Sequence, residues 1–267
     1  MVLRNIIAAT AMAFSFLTIL PMPQVEWTPP RLRFFPVVLP LVGVVVGLSG
    51  AALLGLLSMW RVSVVLRAVL MTLFYLSITG GLHMDGLMDT CDAVFSQRDR
   101  KTRLAILSDP RVGAFAVMGC AAVLLLKVGT FSELFALLDS EKTRFPLFRF
   151  SAFHFSFFLS TLIPVWSRTG LGILFYLPFA REDGLVRTLG GARVFRDRYV
   201  LFALYGLTLL FPVYRGGRII VPLVGALFPL AWSLCCRRMF GGLSGDLMGA
   251  CLELSETLMF LALVVTG

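Results

Sequence analysis

The sequence predicts an all-α membrane protein, a polytopic transmembrane helical bundle of about seven or eight spans with short interfacial helices. Three observations support this fold class. The mean hydropathy is +0.89. Apolar residues make up 58% of the 267 positions, and charged residues only 15%, whereas a water-soluble domain holds about a quarter of its residues as Asp, Glu, Lys and Arg. This composition excludes a soluble dinucleotide-binding enzyme, a disordered chain and a disulfide-stapled secreted domain.

The predicted spans follow from the lengths of the apolar runs, because crossing the hydrocarbon layer takes about 20 mostly apolar residues in a helix. The runs lie at residues 5–22, 34–59, 62–82, 112–138, 146–167, 199–214, 219–236 and 247–266. Gly43 and Gly47 in the second run predict close helix packing. The apolar segment Leu171–Phe179 is too short to span and is predicted to be interfacial. Residues 1–267 are predicted to form a single membrane-embedded domain.

Basic residues are distributed unevenly between the predicted connections. The connections at 23–33, 83–111, 168–198 and 237–246 fall on one side by parity and carry 15 of the 24 Lys and Arg residues. Because basic loops stay in the cytoplasm, this side is predicted to be cytoplasmic. The net charge of +9 would favour nucleic acid only if the basic residues formed a continuous patch. The basic residues occur singly or in short clusters. The expected partner is therefore membrane lipid, and binding of nucleic acid is not expected.

The densest group of acidic residues follows the third predicted span. Asp85, Asp89 and Asp92 are spaced i, i+4 and i+7, so in a helix they lie within an arc of about 60° on one face. Like charges at this spacing destabilise a helix, and a divalent cation removes the repulsion. Oxygen ligands that leave coordination positions open suit Mg²⁺ shared with substrate phosphates. The pattern therefore predicts a magnesium site, and the alternative is a solvated acidic turn balanced by downstream basic residues.

A second acidic group lies at the start of the last predicted span. Asp246 and Glu253 share a helical face, with Glu256 at its edge. Glu253 falls inside the apolar run, where acidic residues usually face a bundle interior or a watery cavity. The glycine-rich turn 241–245 precedes Asp246, and the backbone N–H groups of such a turn can approach a phosphate. Turn and acid together indicate a phosphate-binding region.

Three polar residues outside these groups are further candidates. Arg111 stands just before a predicted span, where its planar guanidinium suits two phosphate oxygens, although a purely structural helix-entry loop explains it equally well. Lys127 falls near the middle of a span and needs a carboxylate partner, a cavity or a path to the interface. His83 precedes Asp85 by two residues and is either a hydrogen-bonding neighbour or a general base. With the acidic groups, these residues predict Mg²⁺-dependent attack of a nucleophile on a diphosphate.

Three blocks of the sequence resemble the cobalamin synthase family, the adenosylcobinamide-GDP ribazoletransferases. They are residues 79–92 (TGGLHMDGLMDTCD), 104–113 (LAILSDPRVG) and 241–253 (GGLSGDLMGACLE). The segments 16–23, 35–36 and 168–172 also fit, so the resemblance runs nearly end to end. The sequence departs from the family pattern at Ala93, Ser108, Pro110, Ala114 and Ala116, and Ser108 replaces a basic residue.

The resemblance implies a multi-pass inner-membrane enzyme of cobalamin biosynthesis that requires Mg²⁺. The family reaction joins adenosylcobinamide-GDP to α-ribazole, or to its 5′-phosphate, and releases GMP. It implies catalytic roles for His83, Asp85, Asp89 and Arg111, and metal ligation by Asp85, Asp89 and Asp92. It also implies substrate binding by Asp109, Gly113, Lys127, Arg168, Gly172, Gly242, Ser244, Asp246 and Glu253. The resemblance does not define the oligomeric state, and a homo-oligomer is compatible with it.

Two other classes remain as alternatives. One is a different membrane transferase that uses a diphosphate, such as a CDP-alcohol phosphotransferase or a UbiA-like prenyltransferase, since both also use spaced aspartates. The other is a cation transporter whose two acidic groups line a path. A transporter needs acidic residues distributed through the membrane depth, whereas Asp85, Asp89 and Asp92 cluster at the end of a span beside a basic loop, which favours an active site.

Overall fold

The structure, a computed structural model, describes residues 1–144, 151–180, 188–189, 194–214 and 218–266. These residues are helical and contain no β-strand, which confirms the all-α fold class. The α-helices, in chain order, are α1 (Val2–Leu17), α2 (Pro29–Leu32), α3 (Phe35–Leu57), α4 (Val64–Ile78), α5 (Leu82–Phe95), α6 (Arg100–Ile106), α7 (Ala114–Arg144), α8 (Ser151–Leu174), α9 (Arg198–Tyr214), α10 (Ile220–Phe240) and α11 (Gly245–Val265).

Four helices are long and apolar enough to cross a membrane, namely α3, the part Ala114–Ser140 of α7, α10 and α11. Helices α4 and α5 pass the same test together, as a pair bent by 90°. The part of the chain that the structure describes therefore holds four or five candidate spans, and the expected count of seven or eight is not confirmed. Helix α1 and the apolar parts of α8 and α9 are shorter than a span. Several helices of this length and apolarity indicate a membrane protein.

The predicted interfacial segment Leu171–Phe179 is not a separate element. Residues Leu171 to Leu174 continue α8, and Leu171, Leu174 and Phe175 are buried. These apolar side chains pack inside the bundle, and the location of the segment at the membrane surface stays a prediction. The prediction of one domain over residues 1–267 stays a prediction.

The third predicted span, 62–82, is interrupted before its end. Helix α4 ends at Ile78, and α5 begins at Leu82 after a 90° turn. Gly80 and Gly81 in the turn have φ angles of 61° and 73°, a left-handed conformation that glycine adopts without steric cost. The turn directs the acidic helix α5 across the bundle instead of along the axis of α4.

Small residues of α3 let α8 pack directly against its backbone. A Cβ atom on Gly43 would lie 2.7 Å from the Cα of Val165, and one on Gly47 would lie 3.0 Å from the carbonyl carbon of Thr161. The close packing predicted from these glycines is confirmed. Helices α3 and α8 thus form a tightly packed pair that supports one side of the bundle.

An aromatic cluster joins α4, α7 and α11. The ring of Tyr75 stacks on Phe131 with 5.7 Å between centroids, and Phe260 meets Phe131 edge-on at 4.9 Å. Helix α11 also packs on α5, α8 and α10, so it occupies the centre of the bundle. Polar residues on α11 are consequently held in the interior of the protein.

Candidate active site

The two predicted acidic groups meet where α5 crosses the start of α11. The three aspartates lie on α5 as the spacing predicts, with Asp85 exposed and Asp89 and Asp92 half-buried. A Cβ atom on Gly86 would lie 2.9 Å from the Cα of Asp246, so the two backbones are in direct contact. Asp89 is within electrostatic range of Asp85, Asp92 and Asp246. The structure therefore concentrates negative charge from two distant parts of the sequence.

The donor atoms of this acidic group suit a hard cation. Within the described ranges, no three His, Cys, Asp or Glu side chains converge closely enough to hold a metal ion by themselves. Mg²⁺ is commonly bound through one or two carboxylates, with waters and substrate phosphates completing the shell. Asp85 and Asp89, one helical turn apart and accessible, match that mode. Binding of Mg²⁺ stays a prediction.

Asp92 directs both carboxylate oxygens at the beginning of α7. Its Oδ2 accepts a hydrogen bond from the backbone N–H of Gly113 at 2.7 Å, and its Oδ1 accepts one from the N–H of Ala116 at 2.8 Å. A Cβ atom on Gly113 would lie 2.5 Å from Oδ1 of Asp92. The predicted metal ligand Asp92 and the predicted substrate-binding residue Gly113 are thus in contact with each other.

Asp109 and Arg111 form a two-pronged ion pair in the loop between α6 and α7. Arg111 donates from Nε to Oδ1 of Asp109 at 2.9 Å and from Nη2 to Oδ2 at 2.6 Å. These hydrogen bonds stabilise the ionised carboxylate and lower the pKa of Asp109 to about 2. The side chain of Arg111 is largely exposed. Arg111 is therefore oriented by Asp109, and not by the aspartates of α5.

The glycine-rich turn leads from α10 into α11. Gly241 ends α10 with a φ angle of 84°, and Ser244 accepts a hydrogen bond from the N–H of Leu247 at 3.3 Å, which caps α11. A Cβ atom on Gly242 would lie 2.5 Å from the carbonyl carbon of Phe179. Gly242 and Ser244 thus shape the turn that presents Asp246, and their predicted contact with substrate stays a prediction.

Arg100 is a candidate residue that the sequence analysis missed. Its guanidinium lies against Gly241, in the space that a Cβ atom there would need. Arg100 is exposed, and no ion pair of Arg100 with a carboxylate is seen in the described portion of the chain. The sequence contained no signal for this contact, because α6 and the glycine-rich turn are far apart along the chain.

Two buried carboxylates of α11 each bind a cation from another helix. Glu253 pairs with Lys127 of α7, and Glu256 pairs with Arg168 of α8. Ser167 donates a further hydrogen bond to Glu256 at 2.8 Å. Of the three alternatives for Lys127, a carboxylate partner, a cavity or a path to the interface, the structure shows the carboxylate partner. Glu256 was placed only at the edge of the acidic face, and the structure shows it to be the counter-ion of Arg168.

His83 and Arg168 carry buried polar atoms without a hydrogen-bond partner among the residues that the structure describes. These atoms are both ring nitrogens of His83 and Nε and Nη2 of Arg168. His83 is 2% exposed and Arg168 is fully buried, and the ring lies within electrostatic range of Arg168 and Lys127. A polar layer therefore continues from the acidic group into the bundle.

Gly172, another predicted substrate-binding residue, lies in a packing contact. A Cβ atom on Gly172 would lie 2.6 Å from the carbonyl oxygen of Pro36 and 3.0 Å from Cδ1 of Leu201. Its nearest neighbours are thus on α3 and α9, whereas the acidic group is on α5 and α11. The structure explains the glycine by close helix packing, and a role in substrate binding stays a prediction.

Comparison with known proteins gives one consistent result. The family model described as cobalamin-5-phosphate synthase matches residues 9–264. The chain is 36% identical to an adenosylcobinamide-GDP ribazoletransferase of Halalkalibacterium halodurans, over 92% of this chain and 90% of the relative. It is 35% identical to the enzyme of that name from Desulfitobacterium hafniense, over 93% of each chain. No solved structure gives a significant match.

Proposed function

Because the chain belongs to the cobalamin-5-phosphate synthase family, we propose that it is an adenosylcobinamide-GDP ribazoletransferase. The family acts at the late step of cobalamin biosynthesis in which the nucleotide loop is assembled. In the proposed reaction, adenosylcobinamide-GDP is joined to α-ribazole or to its 5′-phosphate, and GMP is released. The alternatives of a CDP-alcohol phosphotransferase, a UbiA-like prenyltransferase and a cation transporter gain no support from the family comparison.

The observation that carries this proposal is the contact between Gly86 and the backbone of Asp246. This contact brings the acidic helix α5 beside the glycine-rich turn, which supports a site where carboxylates bind a cation and backbone N–H groups bind a phosphate. A diphosphate needs both kinds of group, since its charge must be neutralised while one phosphorus is attacked.

The residues of the site have distinct proposed roles. Asp85 and Asp89 would hold Mg²⁺, which would neutralise charge on the diphosphate and on the leaving group. Arg111 and Arg100 would bind phosphate oxygens through their guanidinium groups. The ribose hydroxyl of α-ribazole attacks the phosphorus that bears the cobinamide arm, and the bond to GMP breaks. His83 or a free aspartate oxygen would accept the hydroxyl proton.

The proposed location is the inner membrane, with the acidic group on the cytoplasmic side. The nucleotide substrates are charged and water-soluble, so the exposed position of Asp85 supports an opening toward an aqueous compartment. The polar layer around Lys127 and Arg168 is buried inside the bundle. It would contribute to substrate binding from the side of the site that faces the bundle interior.

The deciding experiment measures GMP release by the purified protein in detergent. Wild type is incubated with adenosylcobinamide-GDP, Mg²⁺ and either α-ribazole or its 5′-phosphate, which also identifies the preferred acceptor. We expect turnover that is abolished by EDTA, restored by Mg²⁺ and lost in Asp89→Asn. Glu26→Gln removes an exposed carboxylate outside the site and serves as the matched control. Absence of GMP release from a folded wild-type protein contradicts the proposal.

A further inference from the structure

We propose that Asp92 is a positioning residue that caps α7 from the neighbouring helix, and not a ligand of the metal. This inference rests on the proposed function, because it concerns how the loop that carries Asp109 and Arg111 is held at the diphosphate site. It separates Asp92 from the other two acidic residues of α5, although all three share the same spacing in the sequence.

The first argument comes from the missing local cap of α7. A helix begins with N–H groups that have no partner inside the helix, and a side chain of Ser, Thr, Asp or Asn at the N-cap position usually accepts one of them. Ser63 does this for α4 and Ser244 does it for α11, each binding the N–H three residues further on. The corresponding residue of α7 is Gly113, which has no side chain to offer.

The second argument is that Asp92 supplies this cap across the interface between α5 and α7. Its Oδ1 accepts a hydrogen bond from the N–H of Ala116, which lies three residues after Gly113. This is the same spacing as in α4 and α11, where each serine binds the N–H three residues further on. The Oδ2 of Asp92 accepts from the N–H of Gly113 itself. Both oxygens are therefore engaged by α7, and the positive end of the helix compensates the negative charge.

The third argument is steric. A Cβ atom on Gly113 would lie 2.5 to 2.7 Å from the three carboxyl atoms of Asp92, a separation that real Cβ atoms do not adopt. Gly113 does not have a positive φ angle, so its backbone suits other residues too. The carboxylate of Asp92 thus explains why position 113 is a glycine, because it occupies the space that a side chain there would need.

The consequence for the site is that Asp92 holds the backbone at the end of the loop that carries Arg111, while Asp109 orients the guanidinium itself. Arg111 lies two residues before Gly113, and Asp92 lies one turn from Asp89. Through this cap, α5 holds the end of the loop that carries Asp109 and Arg111 against its own C-terminal half. Loss of the cap would let the loop move by about an ångström or more, a displacement that can lower catalysis about 100-fold.

The test removes the capping side chain at position 92 of α5 and introduces a new one at position 113, directly before α7. Asp92→Ala removes the cap, and we expect turnover to fall about 100-fold and the melting temperature to fall by roughly 2–8 °C. Adding Gly113→Ser in the same chain restores a local cap in the space that Asp92 has left. We expect the double variant to recover most of both losses, whereas Gly113→Ser alone lowers both because its side chain collides with Asp92.

The affinity for Mn²⁺, measured by electron paramagnetic resonance, distinguishes a metal ligand from a positioning residue. Substitution of a ligand lowers this affinity, whereas loss of the cap does not. We expect Asp92→Ala and the double variant to bind Mn²⁺ within a factor of about 3 of wild type, whereas Asp89→Asn loses 10-fold or more. Equal loss of Mn²⁺ in Asp92→Ala and Asp89→Asn, or no recovery in the double variant, overturns the inference. If wild type releases no GMP, the proposed function fails, while the melting temperatures and Mn²⁺ affinities still decide the role of Asp92.

Discussion

Gly86 and Asp246 touch through their backbones, because a Cβ atom at position 86 would stand 2.8 Å from the carbonyl oxygen of Asp246. Helices α5 and α11 can approach this closely only where one of them lacks a side chain. The contact sets the distance between the aspartates of α5 and the glycine-rich turn. The geometry of the site thus depends on a residue that carries no functional group.

Gly86→Ala is expected to separate the two helices and to reduce GMP release about 100-fold. The added methyl group has no room beside the backbone of Asp246. Gly249→Ala is the control on the same interface, since its Cβ atom would make ordinary contacts with His83 at 3.5 to 3.6 Å. Steady-state kinetics of both variants provide the measurement. Equal activity of the two would show that the close approach at Gly86 is dispensable.

Glu253→Gln is expected to destabilise the protein by about 3–5 kcal/mol, because it leaves the buried ammonium of Lys127 without its counter-ion. The double variant Lys127→Met and Glu253→Gln removes both charges and should recover most of the melting temperature in detergent. If the double variant is stable and still inactive, the pair also acts on the substrate. Additive losses in stability would contradict the pairing.

Arg100→Ala is expected to raise the KM for adenosylcobinamide-GDP about 10- to 100-fold, the effect of losing a charged hydrogen bond of about 1.5–3 kcal/mol. The reason is its position against Gly241 in the turn that precedes Asp246. Lys101→Ala removes a neighbouring exposed cation and serves as the control. Unchanged KM values in Arg100→Ala would exclude the contact with the nucleotide.

The ion pair of Asp109 and Arg111 is expected to persist throughout the physiological pH range. The pKa of Asp109 is lowered to about 2 by the hydrogen bonds of Arg111, below an ordinary value of about 3.9. The contribution of the pair is therefore complete above about pH 4 and is lost only as the pH falls toward 2. Asp109→Asn should reduce kcat/KM at every pH without moving the acid limb of the profile. A shifted acid limb would mean that Asp109 titrates in the working range.

Local patterns were sufficient to predict several parts of this structure. The spacing of Asp85, Asp89 and Asp92 predicts one helix, and α5 carries all three. The glycines of the second span predict the close approach of another helix, and α8 supplies it. Both features depend on helical periodicity, which short stretches of sequence contain.

Other features depend on contacts between distant segments and could not be predicted. The interruption of the third span requires left-handed backbone at Gly80 and Gly81, which an apolar run does not reveal. The cap of α7 is invisible because a side chain from another helix provides it. Likewise, the carboxylate of Glu256 gave no indication that Arg168 would be its partner.

The separation of Lys127 from Glu253 by 126 residues has a consequence for biogenesis. At about 5–20 residues per second, the ribosome makes the carboxylate roughly 6–25 seconds after the ammonium. During that interval the seventh helix carries an uncompensated cation that the lipid interior disfavours. Chains truncated before residue 245 lack Glu253, and they are therefore expected to be less stable in the membrane than the full chain because Lys127 keeps no counter-ion.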